Sequence, residues 1–394
     1  MPARVPPRAP TRKRRFVRSL VVFAALLAGA GIVALRGRHP SLSIAPAPRA
    51  LVSTRGNTAP DDARRVLVIY NARAEDGQAI ARQYAAARGV PTSNLMSVAC
   101  PLTDECSHAE YERDILPYVK ERVGQDAQIA YVVLIRGIPF RFSDFGDVGG
   151  YSVDSVMATC LMGLPAPGTP GGITPGRRLN NPYFGANERF ERARFGGLLL
   201  VCRLDGPTPE DALAPVASGL AARPVVGTFY LRDSFCMNMS AGNAVLAARR
   251  FDTEYVAPAN NPLAPLYQGE AGPYMAHWGA GPHDTQYTDA KFALLRFLPG
   301  GICDMTWSAS AQHLRSRSAL AGINLLTGYA GAAGAHGFVS EPYCDAVSRP
   351  EIVLDRYTRG YDMAESFYMG SPFIHWKDVV LGDPLCAPYA DAGK

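Results

Sequence analysis

Two small groups of residues carry the chemistry this chain could do. The first is His277, in Tyr274-Met275-Ala276-His277-Trp278-Gly279, with Ser308 and Ser310 in Trp307-Ser308-Ala309-Ser310. An imidazole beside a hydroxyl is the minimum for nucleophilic catalysis, because the ring takes the proton as the oxygen attacks. His277 is read as the base and Ser310 as the nucleophile, at the ends of two strands that a parallel sheet would set side by side. A single His at a strand end fits a purely structural role as well.

The second group is polar. Asn71, Arg136, Asp205, Glu341 and Asp383 each close or follow an apolar run, and Asp154 opens a short helical stretch. Ligands of open parallel sheets sit outside the carboxyl ends of the strands, so this set predicts one polar strand-end pocket. Asp205 and Asp383 precede Gly-Pro and Pro, and equally fit the shaping of turns. Arg136 equally fits a buried partner for one of these acids. Hard divalent cations take carboxylates, which makes Asp205, Glu341 and Asp383 a candidate set for one; no other cofactor is expected. The glycine-rich dinucleotide loop, the Lys-bearing phosphate loop, the Gly-x-Ser-x-Gly elbow and the His-Glu-x-x-His metal helix are all missing from the sequence.

The elements that must position these residues alternate. Val66–Tyr70 is a continuous apolar run, as in a strand covered on both faces. A helix over 75–88 follows, stopped by Gly89 and Pro91. Strands are expected over 95–99 and 129–138, with a helix over 108–123 that Pro117 could kink. After a Gly/Pro-rich loop over 164–181 the pattern resumes. Strands are expected over 198–204, 225–231, 274–277, 301–307, 334–339 and 379–381. Helices are expected over 209–220 (capped by Thr208), 243–255, 318–329 and 362–369. This order implies an α/β fold with a mostly parallel sheet and helices on both faces.

The N-terminus reads differently. Residues 1–19 hold Arg4, Arg8, Arg12, Lys13, Arg14, Arg15 and Arg18 and no acid. Leu20–Leu35 is free of charge and would be about 24 Å long as a helix. That length lies between a signal-peptide core and a membrane span, so a cleaved signal and a retained anchor both fit. The segment 20–35 is the expected membrane contact, 36–60 a flexible linker, and 61–390 one α/β domain or two sub-domains divided near 164–195. The first 60 residues hold 11 Lys+Arg and no acid, so the rest carries 29 Lys+Arg against 35 Asp+Glu. The excess positive charge belongs to the leader, and nucleic acid is not an expected partner. An exported domain sits in an oxidising compartment, where Cys100 and Cys106, six apart, are the candidate disulfide.

Two resemblances follow from these motifs. Val-Leu-Val-Ile-Tyr-Asn (66–71), Leu-Ile-Arg-Gly-Ile-Pro (134–139), Val-Asp-Ser (153–155), Arg-Leu-Asp-Gly-Pro-Thr (203–208), Ser-Glu-Pro-Tyr (340–343) and Leu-Gly-Asp-Pro-Leu (381–385) resemble, in this order, an uncharacterised bacterial family of exported proteins without an assigned activity. More remotely, 270–389 is similar to gingipain-like cysteine peptidases of the caspase–haemoglobinase fold. That likeness rests on a Gly-flanked His, a strand ending Ser-Ala-x, a small-residue helix, a strand and Gly-Asp-Pro. It implies a caspase-like fold with His277 at the family's His position and Ser310 where the family has Cys. Trp278 replaces the family's Gly, and a hydroxyl replaces its thiol. The sequence thus reads as an exported or membrane-anchored binding domain with a polar strand-end pocket, the alternative being a peptidase-like hydrolase with a His277/Ser310 dyad.

Overall fold

The computed structural model describes residues 62–144, 150–164, 178–234, 236–256, 273–280, 295–305, 308–317 and 322–390, with backbone alone at 277, 279, 280, 325 and 326. The expected basic region, the segment 20–35 and the linker lie outside them. Among the described residues no helix is long and apolar enough to cross a membrane.

Fourteen strands are defined among the described residues. They are β1 (Val66–Asn71), β2 (Leu95–Val98), β3 (Glu105–Cys106), β4 (Tyr131–Ile135), β5 (Arg141–Phe142), β6 (Leu179–Asn180), β7 (Leu200–Leu204), β8 (Thr228–Arg232), β9 (Thr253–Val256), β10 (Tyr274–Ala280), β11 (Phe297–Met305), β12 (Gly334–Phe338), β13 (Phe373–Ile374) and β14 (Asp378–Gly382). Ten of them form one sheet in the order β2-β1-β4-β7-β14-β12-β11-β10-β8-β9. It is mostly parallel and flanked by helices, and it takes strands from both sides of 164–195. The departure is the pairing of β14 with β12, which is antiparallel with Ala335 opposite Leu381, whereas β14 pairs with β7 in parallel at Leu381 and Arg203.

The apolar runs explain the centre of this sheet. Every residue of β4 and of β7 is buried, as a strand covered on both faces requires. The helix Gly77–Arg88 ends at Gly89, whose φ of 74° is the left-handed conformation that glycine adopts without penalty. Pro209–Ala221 begins with the expected Thr208 cap, in a reciprocal box with Asp211.

Some boundaries differ from expectation. The helix expected over 108–123 is two, His108–Asp114 and Leu116–Gln125, because Pro117 sits in the first turn of the second. The helix expected over 243–255 is Ser240–Ala248, and the chain then forms the edge strand β9 beside β8. The Thr-Glu-Tyr-Val run of β9 is β-branched and aromatic, and edge pairing overrides the helical spacing.

Candidate functional site

The strand-end polar residues gather around one turn, Arg136-Gly137-Ile138-Pro139, at the carboxyl end of β4. Gly137 has φ 99°, and a Cβ there would meet the Ala74 side chain, so the turn packs directly on the segment after β1. The Asn71 amide donates to the Gly137 carbonyl at 2.9 Å and to Cys100 O at 3.1 Å. Its oxygen accepts from Arg73 N–H. Asn71 therefore pins the turn to the end of β1.

Beneath the turn lies Arg203, wholly buried in β7. Its Nε and Nη2 donate to the Asp154 carboxylate, the shortest contact being 2.6 Å. Its Nη1 reaches Ile138 O at 2.8 Å and Asp205 at 3.2 Å, and its Nη2 reaches Pro139 O at 3.0 Å. Those contacts employ all five guanidinium donors. Arg315, on the segment after β11, grips Asp205 with Nε at 3.1 Å and Nη2 at 3.0 Å. It also donates to Ile138 O and to Asp104. The carboxyl ends of β4 and β7 and the segment that carries Arg315 thus meet in one network. Both guanidiniums lie within 6 Å of the Phe140 ring centre, inside cation–π reach.

The charges are set by these neighbours. Burial pushes the Asp205 carboxyl up, but Arg315 and Arg203 outweigh it and hold it below the usual carboxylate range. Burial dominates at Asp154, which sits above that range in spite of Arg203. Arg136 forms the outer layer. It pairs with Asp76 and donates to Gly206 O at 3.0 Å and Pro207 O at 3.3 Å, with about a quarter of its side chain exposed. Asn71, Arg136, Asp154 and Asp205 are therefore linked through the 136–139 turn, Gly206 and Arg203.

Asp383 and Glu341 do not join them. Because β14 is antiparallel to β12, its carboxyl end lies at the amino end of that strand, where Asp383 N–H donates to Ala333 O. The Asp383 side chain is buried and bonded to Arg88, the last residue of its helix. The reading of Asp383 as a strand-end pocket residue assumed that all strands run alike. Glu341 is exposed and offers its backbone carbonyl to Lys377 Nζ at 2.6 Å. The cation set Asp205, Glu341 and Asp383 is thus not assembled, and no cluster of three His, Cys, Asp or Glu suited to an ion occurs among the described residues.

The dyad residues are placed as follows. β10 runs on to Ala280, so His277 is the fourth of its seven residues, opposite Tyr230 on β8 and Cys303 on β11. The His277 side chain lies outside the described residues. Ser310 is fully buried, and its Oγ accepts from Phe338 N–H at 3.3 Å. A Cβ at Gly337 would run into that Oγ. The backbone beside it is pinned as well: Ile323 N–H donates to Ser310 O, and Ala311 N–H to Phe338 O.

The expected Cys100–Cys106 disulfide is corrected. Both are buried free thiols, raised by burial to about 11 and about 12. Cys236 and Cys344 form the disulfide instead, joining the segments after β8 and β12, 108 residues apart in sequence. No local spacing could announce such a pair.

Sequence reasoning also missed Arg203, Arg315, Arg88 and a buried triplet. In that triplet, His336 on β12 has Nδ1 3.0 Å from Asp304 Oδ2 and Nε2 3.4 Å from Asp378 Oδ1, and Ser348 also bonds Asp304. Burial pulls the His336 pKa down, but Asp304 and then Asp378 raise it to about 10. The available signal was a lone charge inside an apolar run: Arg203 in Leu-Leu-Leu-Val-Cys-Arg-Leu, and Asp304 in Ile-Cys-Asp-Met.

No family model and no curated protein matches the chain. A solved structure titled "Structure of Protease" is similar to it, with 10% identity and a TM-score of 0.46 over 83% of this chain and 79% of that one.

Proposed function

We propose that this chain is an exported or membrane-anchored domain that binds a ligand at the Arg136–Arg315 edge and does not cut peptide bonds through Ser310. The observation that carries the reading is the convergence of Asn71, Arg203 and Arg315 on the carbonyls of the 136–139 turn, with Asp154 and Asp205 held by the two guanidiniums and Arg136 on the outer side. Such a turn, at the carboxyl edge of parallel strands, is where ligands of these sheets sit. The inner layer, Arg203 with Asp154 and Asp205, is saturated and serves as a frame. The outer layer is exchangeable. Asp104, the outer partner of Arg315, is about half exposed, and Asp76, the partner of Arg136, is also reached by solvent. Exposed ion pairs contribute about 0–1 kcal/mol, so a ligand anion can take their place. The ligand class is therefore a small carboxylate or phosphate.

The Cys236–Cys344 disulfide supports placement in an oxidising compartment, as export through residues 20–35 would give. Against the hydrolase reading stands the Ser310 hydroxyl, which would have to leave Phe338 N–H and come to the surface before it could attack. The binding test is thermal unfolding of the protein with citrate or inorganic phosphate. Either anion should raise the melting temperature in wild type and not in Arg136→Gln. An equal rise in both proteins, or in neither, would remove Arg136 from the site.

A further inference from the structure

A separate cavity of about 160 Å³ has none of the strand-end residues in its walls. Its walls come from the helices His108–Asp114 and Leu116–Gln125, from Val156, Thr159 and Cys160, and from His375 in the turn before β14. His375 is the unusual member. It is 5% exposed and holds φ at 58°, a conformation that side-chain-bearing residues rarely take. Thr159 Oγ1 donates its one proton to Val156 O at 2.9 Å, so it accepts from His375 Nδ1–H. The other ring nitrogen, Nε2, is then a bare lone pair, buried and without a partner. Burial first, and His108 second, hold the ring at about 4, so Nε2 stays an acceptor in neutral solution.

Opposite charges stand at the mouth. Glu112 is about half exposed, 3.7 Å from His108 Nδ1, and Lys120 is exposed. Leu116 and Val156 supply apolar wall. A buried acceptor without a donor is costly and calls for one. A hydroxyl would answer Nε2 alone, whereas a molecule with both an ammonium and a carboxylate would answer Nε2, Glu112 and Lys120 together. The volume lies below the range of about 300–1,000 Å³ for drug-sized ligands, which suits one small molecule and excludes a peptide.

We propose that this cavity binds a free α-amino acid with a small apolar side chain. The ammonium donates to His375 Nε2 and faces Glu112, the carboxylate faces Lys120, and the side chain rests on Leu116 and Val156. The test is calorimetric titration of the full chain with L-valine, N-acetyl-L-valine and L-valine methyl ester. Valine should bind, and each capped form should bind at least about tenfold more weakly, since each loses a charge-assisted hydrogen bond. Glu112→Gln and Lys120→Met, at exposed positions, should each weaken valine without changing the melting temperature. His375→Asn, which tolerates the left-handed backbone, should abolish binding. If that variant does not fold, the two surface variants decide the matter. No heat with valine would mean that Nε2 holds a water only, and it would overturn the proposal. So would equal binding of the three compounds, or valine binding unchanged in both surface variants.

Discussion

Arg203 Nη2 stands 2.6 Å from Asp154 Oδ1, and both side chains are sealed from solvent. An ion pair in that position makes little net contribution compared with an apolar pair of the same shape, yet removing one partner strands the other charge in a dry interior. The pair therefore acts as a lock. It holds the 136–139 turn, the start of the helix Val153–Ala158 and the end of β7 in one arrangement.

Asp154→Ala should accordingly lower folding stability by about 3–5 kcal/mol, the cost of an uncompensated buried charge. Arg136→Ala, in the outer layer where about a quarter of the side chain meets solvent, should cost less, about 1 kcal/mol. Urea unfolding of the two variants against wild type checks both values. Similar losses would mean that the two layers do not differ as described.

His336 makes stability depend on alkaline pH. Its folded value is raised from 6.5 to about 10, chiefly by Asp304 against the opposing effect of burial. A raised value means that the folded protein binds the proton more tightly than the unfolded chain. The contribution is fully present below about pH 6.5 and is lost as pH rises through about 10. Unfolding free energies measured from neutral pH to about pH 10 should fall along this window in wild type. The fall should be shallower in His336→Gln. Parallel profiles would show that the proton on His336 is not linked to folding.

The disulfide should dominate the response to reductant. A cross-link closing a loop of about 100 residues stabilises by roughly 4–5 kcal/mol in the chain-entropy view, and 2–5 is common on removal. Cys344→Ser, or reduction of wild type, should therefore lower the melting temperature sharply. Cys100→Ser should leave the reductant response intact. A reductant response that disappears with Cys100 would contradict the Cys236–Cys344 pairing.

The first half of the fold was legible because β1 and β4 are uninterrupted apolar runs with helices of ordinary spacing between them. The strand-end positions of Asn71, Arg136 and Asp205 could be read by one rule, since each closes or follows a strand that the apolar runs mark. Asp383 could not, because nothing in Val-Val-Leu-Gly-Asp-Pro tells an antiparallel strand from a parallel one. Arg203 and His336 escaped for another reason. Each lies inside a strand, where the strand-end rule does not look, and only the partners Asp154 and Asp304 explain how a charge is tolerated there. His277 was placed at a strand end because Gly279 and Gly281 read as a turn, yet β10 continues through Gly279 to Ala280.

The central claim is that the chain binds at a strand-end edge and does not use Ser310 as a nucleophile. Labelling of the folded, oxidised protein by a serine-reactive fluorophosphonate, compared between wild type and Ser310→Ala, tests it most directly. Labelling that is absent, or equal in the two proteins, is the predicted result, because the Ser310 hydroxyl is buried against Phe338 N–H. Stoichiometric labelling of wild type that disappears in a folded Ser310→Ala variant would contradict the account and restore the hydrolase reading.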